Sequence, residues 1–314
     1  MAGQLVLKSQ NAVDNIIDLP DINFYINRVV ADGGIIYDMN ALLDVFSFIY
    51  ANGISEGEVF SAVNPAWGIK YDAGTKNVTK LYSLFDPVGD LEVKATSLPI
   101  KLDTTTYPFP SVYLGGSNGT YLKSLGLASN VENVGSAYAI VIPSLNDYGI
   151  GAGTAFPVNV LWSAKNYGET GGGGSVTPYV AYSNIVQRPD TSNNTPAQWW
   201  QVYTAFGGTG TLGSSGSTLY QSARPFGAFF GPNNGKLFNN GTQLLTDSTV
   251  TVGANQKNNL ELRLGGTVTN GGIAGSSYLL GSVIENWAMV NTSEEHMSAI
   301  SKRINDKYYS NLPH

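Results

Sequence analysis

The chain has 314 residues, a formal charge of −6, charged side chains at only 13% of positions, and 37 glycines. That length holds two ordinary domains or one large β domain, and a glycine-rich, charge-poor composition suits β-strands joined by tight turns rather than a coiled coil or a disordered acidic tail. A pI near 4.9 with no basic cluster argues against a nucleic-acid partner, zero Cys excludes disulfides and thiolate metal sites, and no apolar run of about 18 residues is present to cross a membrane.

Met1–Lys8 lacks the charged and apolar regions of a signal peptide, so no leader is expected. Ile22, Tyr25, Ile26 and Val29 recur at helical spacing after Pro20-Asp21, and Asp32-Gly33-Gly34 stops that helix. Asp38 caps a second helix with the stripe Met39, Leu42, Leu43, Phe46, Ile49 and Tyr50, ended by Asn52-Gly53. The two form a helical hairpin whose apolar faces must be buried. Met39, Leu42, Leu43, Phe46 and Ile49 are therefore expected to serve in assembly or anchoring. Val59-Phe60, Trp67–Lys70, Lys80–Leu84 and Asp90–Val93 follow as short strands or connectors.

From Leu98 onward the pattern changes. Pro99, Pro108 and Pro110 make the opening stretch an extended linker or edge strand. Nine strands are then expected: Tyr138–Ile142, Val158–Trp162, Pro178–Ser183, Trp199–Phe206, Leu219–Phe230, Lys236–Phe238, Thr242–Leu245, Leu260–Leu264 and Tyr278–Met289. Asn240-Gly241 marks a hairpin, because both residues tolerate positive φ. The set reads as an antiparallel sandwich. Thr292-Ser293-Glu294-Glu295 is a capping box with Thr292 as N-cap. The closing helix carries the apolar face Met297, Ile300, Ile304 and Tyr308 and a basic outer face of Lys302, Arg303 and Lys307. There is no clear internal repeat, and Gly171–Gly174 reads as a surface loop.

The chemistry screen yields little. The two histidines are His296, on the closing helix, and His314, the last residue; neither is placed to act as a buried base. Glycoside hydrolysis needs two carboxyls on one face; Glu285 stands alone on its strand, Glu58 and Glu92 lie in the N-terminal region, and Glu261 has no neighbouring acid. Gly208-Thr209-Gly210-Thr211-Leu212-Gly213 matches a dinucleotide fingerprint formally, but Ser214-Ser215-Gly216-Ser217 is a poor helix start, so a polar hairpin loop explains it better. Calcium needs clustered oxygens; Asn146-Asp147 and Asp190 with Asn193-Asn194 are thin clusters, so no metal or cofactor is expected. Aromatics remain. Alternation puts Trp199, Gln201 and Tyr203 on one strand face, as a sugar platform would, though core or interface packing explains them as well. Tyr107, Tyr113 and Tyr121 carry the same two readings.

Several stretches, in order, carry a resemblance. Gly115–Leu122, Lys236–Thr242, Leu262-Arg263-Leu264-Gly265-Gly266, Gly281–Trp287 and the capped helix from Asn291 to Tyr308 resemble the laminin-G/concanavalin-A-like lectin sandwich found in many bacteriophage virion proteins. Ala31-Asp32-Gly33-Gly34, Asn52-Gly53-Ile54, Trp67–Lys70 and Lys80–Leu91 resemble the start of many tail and head-associated phage proteins. The resemblance spans about residues 20–95 and 111–309, while 143–235 carry Gly/Ser/Asn inserts that do not follow it, so no family ligand set transfers.

It implies a mainly β chain: a small α+β anchoring module over 1–97 and a concanavalin-A-like β-sandwich over 98–314, closed by a short helix. It implies a virion location, other virion proteins as partners, a homo-oligomer, and no nucleic acid, membrane insertion or enzymatic activity. Two functions stand open, an adhesin for host surface glycans and a purely architectural decoration, collar or tail protein. A glycan-cleaving enzyme is the weaker alternative.

Overall fold

The computed structural model describes residues 20–94, 98–115, 120–141, 155–163, 180–189, 196–205, 211–216, 226–230, 234–247, 260–265 and 280–308. It opens with helices α1 (Pro20–Ala31) and α2 (Met39–Ala51). Gly33, at φ +79°, ends α1 as a left-handed residue, and the Gly34 N–H reaches back to the Val29 carbonyl at 2.9 Å. Asp38 caps α2 by accepting from the Ala41 N–H at 3.1 Å. Strands β1 (Val59–Val63), β2 (Ile69–Tyr71), β3 (Val78–Leu81) and β4 (Leu91–Lys94) follow. Next come β5 (Lys101–Asp103), β6 (Ser111–Gly115), β7 (Tyr121–Ser124), β8 (Val134–Val141), β9 (Ala155–Ser163) and β10 (Val180–Pro189). The last strands are β11 (Pro196–Ala205), β12 (Thr211–Gly216), β13 (Phe226–Phe230), β14 (Gly235–Asn239), β15 (Thr242–Asp247), β16 (Leu260–Leu264) and β17 (Leu280–Val290). Helix α3 (Glu294–Tyr308) closes the chain's described part.

The strands form two antiparallel sheets. One runs β15-β14-β13-β8-β17-β6-β5, with β1 also paired to β17. The other runs β12-β11-β10-β9-β16-β7-β4-β3-β2. The mainly β, antiparallel sandwich with a terminal helix that the sequence implies is the architecture observed. The 97/98 boundary falls between β4 and β5, and each sheet holds strands from both sides of it: β1 pairs β17, and β4 pairs β7.

Two apolar layers follow from strand alternation. Leu81, Leu91, Leu122, Leu260, Leu262 and Leu264 of one sheet share a core with Val112, Leu114, Tyr138, Ile140 and Val283 of the other. The intervening residues of β8, Ala137, Ala139 and Val141, belong to a second core with Ile284, Trp287 and Met289, and there they meet the three helices. Sheet β15-to-β5 is therefore covered on both faces, which is why β8 is buried at all eight positions. The helices bring Ile22, Tyr25 and Val29, then Leu42, Val45, Phe46 and Ile49, then Met297, Ile300, Ile304 and Tyr308 to that layer. A fully buried side chain of this size is worth about 1.5–3 kcal/mol.

Some local expectations change. Within the Gly208–Gly213 motif and the Ser214–Ser217 run after it, expected as a polar hairpin loop, Thr211–Gly216 is strand β12 at the end of its sheet, paired with β11 from Tyr203 to Gln198; an edge position demands ladder hydrogen bonds on one side only and tolerates Gly and Ser. Of the expected Leu219–Phe230 run, Phe226–Phe230 is strand β13, and residues 219–225 lie outside the described residues. Strands β6 and β7, five and four residues long, carry too short an alternation to stand out. Asn240 and Gly241 turn the β14–β15 hairpin at φ 51° and 71°, as expected.

Helix α1 is tied to the sheet edge through a polar cluster. The Tyr82 hydroxyl donates to Asp32 at 2.7 Å, and Lys80 and Lys70 reach the same carboxylate at 3.2 and 3.4 Å. The Tyr82 hydrogen bond, reinforced by both lysines against some burial, lowers Asp32 from 3.8 to about 2. A depressed carboxyl pKa contributes stability that is present above the ordinary value and lost as pH falls towards the folded value. Asp32 is 42% exposed at its side chain, so screening holds this below ~1 kcal/mol. Asp32→Asn is expected to flatten the fall of the thermal midpoint between about pH 4 and pH 2; a slope equal to wild type in scanning calorimetry would contradict the assignment.

Candidate functional site

A cleft of about 780 Å³ lies between α2, α3 and residues 104–110. Its third wall is set by sequence-local chemistry. Asp103 accepts from the N–H groups of Thr105 and Thr106 at 2.9 and 3.0 Å, an Asx-type turn that starts the loop. Pro108 and Pro110 then hold the chain extended on either side of Phe109. The Phe109 ring meets Tyr308 of α3 edge to face, with centroids 4.8 Å apart.

Helix α3 is placed by a cap one residue later than the sequence suggests. The Ser293 hydroxyl accepts from the His296 N–H at 3.0 Å, so Ser293 is the N-cap. The Thr292 hydroxyl donates instead to Glu58 at 3.0 Å. His296, expected on an exposed face, has a side chain 19% exposed, with Nδ1 2.6 Å from the same Glu58 oxygen. Burial raises the Glu58 carboxyl, but hydrogen bonds from His296, Ser55 and Thr292 outweigh it and leave its pKa lowered.

The floor of the cleft is a buried polar network centred on Glu285, which is fully buried. The pairing of β17 with β8 shifts register between Val283 and Glu285. Strict alternation would send Glu285 to the inter-sheet side with Val283; the bulge turns it to the helix side with Trp287. One Glu285 oxygen accepts from Trp287 Nε1 at 2.8 Å and from Arg303, and the other from Asn64 Nδ2 at 3.2 Å and from the Tyr308 hydroxyl. Burial, then the Glu285 charge, raises the Tyr308 phenol well above its ordinary value. Arg303 is also not on an outer basic face: its side chain is 7% exposed. Burial opposes its charge, but Glu285, Tyr308 and Asp44 raise its pKa.

At the cleft wall, Arg303 and Lys307 both donate to Asp44, at 2.9 and 2.6 Å. Burial raises the Asp44 carboxyl, while Lys307 and Arg303 together bring it below the ordinary range. The Arg303 guanidinium lies 5.3 Å from the Phe48 ring centre. Lys302 holds Asp306 at 2.5 Å, one helical turn on. The cleft thus offers aromatic and proline faces, the amides of Asn40 and Asn52, and carboxylates open to solvent on one side.

The structure does not assemble the sequence-predicted residues into this cleft. Trp199, Gln201 and Tyr203 are alternate residues of β11, opposite Val186, Asn184 and Tyr182 of β10, hence on one strand face; their side chains lie outside the described residues. Leu42, Phe46 and Ile49 are buried inside the chain's own core, with Met39 and Leu43 partly buried against it. Asn146-Asp147, Asp190, Asn193-Asn194, Gly171–Gly174 and His314 lie outside the described residues. Among the described residues no group of three His, Cys, Asp or Glu is placed to hold a metal, and no helix is long and apolar enough to cross a membrane. Sequence reasoning missed the roles of Glu285 and Arg303; a lone charge in a strand of otherwise uncharged, mostly apolar residues was the available signal.

No family model and no curated protein matches the chain. Solved structures with a similar course include the botulinum neurotoxin serotype G binding domain, at 8% identity and TM-score 0.47, over 81% of this chain and 54% of that one. Tailspike protein 2 from an Escherichia coli O157:H7 bacteriophage aligns at 14% identity and TM-score 0.42, over 69% of this chain and 27% of the tailspike. A Trypanosoma rangeli sialidase bound to sialic acid aligns at 10% identity and TM-score 0.47, over 81% of this chain and 34% of the enzyme. The chain therefore spans between about a quarter and just over half of the length of these three structures.

Proposed function

We propose that this chain is a structural protein of a bacteriophage virion whose lectin-like sandwich binds host surface glycan, without cleaving it. The virion assignment is supported by the ordered sequence resemblance along residues 20–95 and 111–309. The glycan-binding role rests on one observation: the α2–α3 cleft sets an aromatic wall, Phe48 and Phe109, against amides and half-open carboxylates in a volume of sugar size. Apolar sugar faces stack on such rings while hydroxyls bond to amide and carboxylate groups.

Glu285 is a scaffold carboxylate in this reading, because both its oxygens are engaged by four donors and neither reaches solvent. The test is binding of the full chain to an array of bacterial surface glycans, followed by titration calorimetry with Phe109→Ala. Loss of a ring contact worth about 0.5–1.5 kcal/mol should weaken binding roughly two- to twelvefold. An array with no bound glycan contradicts the reading. So does a folded Phe109→Ala variant with wild-type affinity.

A further inference from the structure

We infer that the α2–α3 cleft selects neutral, hydroxyl-rich saccharides and rejects acidic ones, an inference that rests on the glycan-binding reading above. The argument is the state of each charge around the cavity. Arg303 has one terminal nitrogen on Glu285 and the other on Asp44, and its side chain is 7% exposed. Its Nε has no hydrogen-bond partner, although the residue lines the cavity. Both terminal nitrogens are thus engaged by carboxylates within a nearly buried side chain, and Nε is itself buried, so the guanidinium presents no open two-pronged face of the kind that a carboxylate would require. Lys307 is held by Asp44 at 2.6 Å and Lys302 by Asp306 at 2.5 Å. Among the described residues, each cation that lines the cavity, Lys302, Arg303 and Lys307, has a carboxylate partner.

The carboxylates face outward, as does Lys302, whose side chain is 60% exposed beside its partner Asp306. The side chains of Asp44 and Asp306 are 56% and 54% exposed, and Asp38 also lines the cavity. An ionised carboxylate accepts at up to about four lone-pair sites, so Asp44 and Asp306 retain acceptors after pairing. Vicinal hydroxyls fit them. A sialic or uronic acid would bring a negative charge to three aspartates and would have to draw Lys302 or Lys307 from its partner. Like charges brought together in a partly desolvated site are disfavoured. The remaining wall is uncharged, Phe48, Pro108, Phe109 and Pro110, and suits the C–H face of a pyranose.

The experiment titrates the full chain with neutral galactose and N-acetylglucosamine oligomers and with sialylated or glucuronate-capped versions of the same oligomers. Neutral ligands are expected to bind at least tenfold more tightly. Asp306→Asn, a substitution at a solvent-exposed helix position, is expected to narrow that ratio severalfold by removing one repelling charge and freeing Lys302. Acidic ligands that bind as tightly as neutral ones overturn the inference while leaving the glycan-binding reading intact. A ratio unmoved by Asp306→Asn places the discrimination outside this cleft and overturns the inference too. Binding of neither class overturns the glycan-binding reading, and the inference with it.

Discussion

Glu285→Ala is expected to destabilise the folded chain by about 3–5 kcal/mol, the usual cost of removing one partner from a buried ion pair. The reason is what remains behind. Arg303 would keep a buried positive charge whose exposed neighbour, Asp44, lies at the cleft rim. Its Nε already lacks a partner, and a second guanidinium nitrogen would join it. Trp287 Nε1, Asn64 Nδ2 and the Tyr308 hydroxyl would each lose an acceptor inside the same core, and each orphaned donor adds to the loss.

Replacing both charges, Glu285→Leu with Arg303→Met, is expected to recover a large part of the deficit, because apolar groups of similar volume need no partner. Urea-induced unfolding of the full chain, followed by tryptophan fluorescence, reads both values. A single-variant loss below about 1 kcal/mol would mean that water or a rearranged Asp44 satisfies Arg303, and the network would not be what fixes α3 to the sheet.

The same residue shows where a sequence is informative and where it is silent. The stripes of α1, α2 and α3 are legible because helix periodicity is local: Leu42, Phe46 and Ile49 had to be buried, and they are. What buries them is not local. Trp287 and Ile284, against which the helices pack, lie more than two hundred residues further on, and nothing at short range says that the stripe turns inward rather than towards a neighbouring subunit. Glu285 looked isolated for the same reason, since its Asn64 donor is 221 residues away in the chain.

The bulge that turns Glu285 towards the helices is set by pairing with β8, so alternation counted along β17 alone assigns it to the wrong face. The α3 cap was misplaced by one residue because Thr292 and Ser293 are equivalent by type; the Glu58 carboxylate, brought near by β1 pairing with β17, decides between them. Where geometry is short-range, as in the Asn240-Gly241 turn, expectation and structure agree.

Asp90→Ala is expected to produce a loss of similar size, about 3–5 kcal/mol, by a separate route. Asp90 is fully buried just before β4 and receives Arg28 Nη1 on both oxygens, at 2.6 and 2.7 Å. Lys80 reaches it at 3.0 Å and the Ser83 N–H at 2.8 Å. Without it, two cations with side chains 13% and 19% exposed face each other, and a buried backbone donor is unpaired. Asp90→Asn keeps an acceptor for Ser83 and the shape of the site, so it should lose roughly half as much.

The readout that separates this from general weakening is amide exchange. Arg28 ties α1 to the β3–β4 edge alongside the Asp32 cluster, so exchange in α1 should accelerate before exchange in β8. Equal acceleration in both would show that the Arg28–Asp90 pair adds nothing to what the apolar face and the Asp32 cluster already hold. Asp90 and Glu285 share no hydrogen-bond partner, one tying α1 to one sheet and the other tying α3 to the opposite sheet. Their losses should therefore add to within about 0.5 kcal/mol in the double variant. A larger departure would reveal coupling through the aromatic layer that both helices press upon, where Trp67 and Trp287 meet edge to face at 6.0 Å.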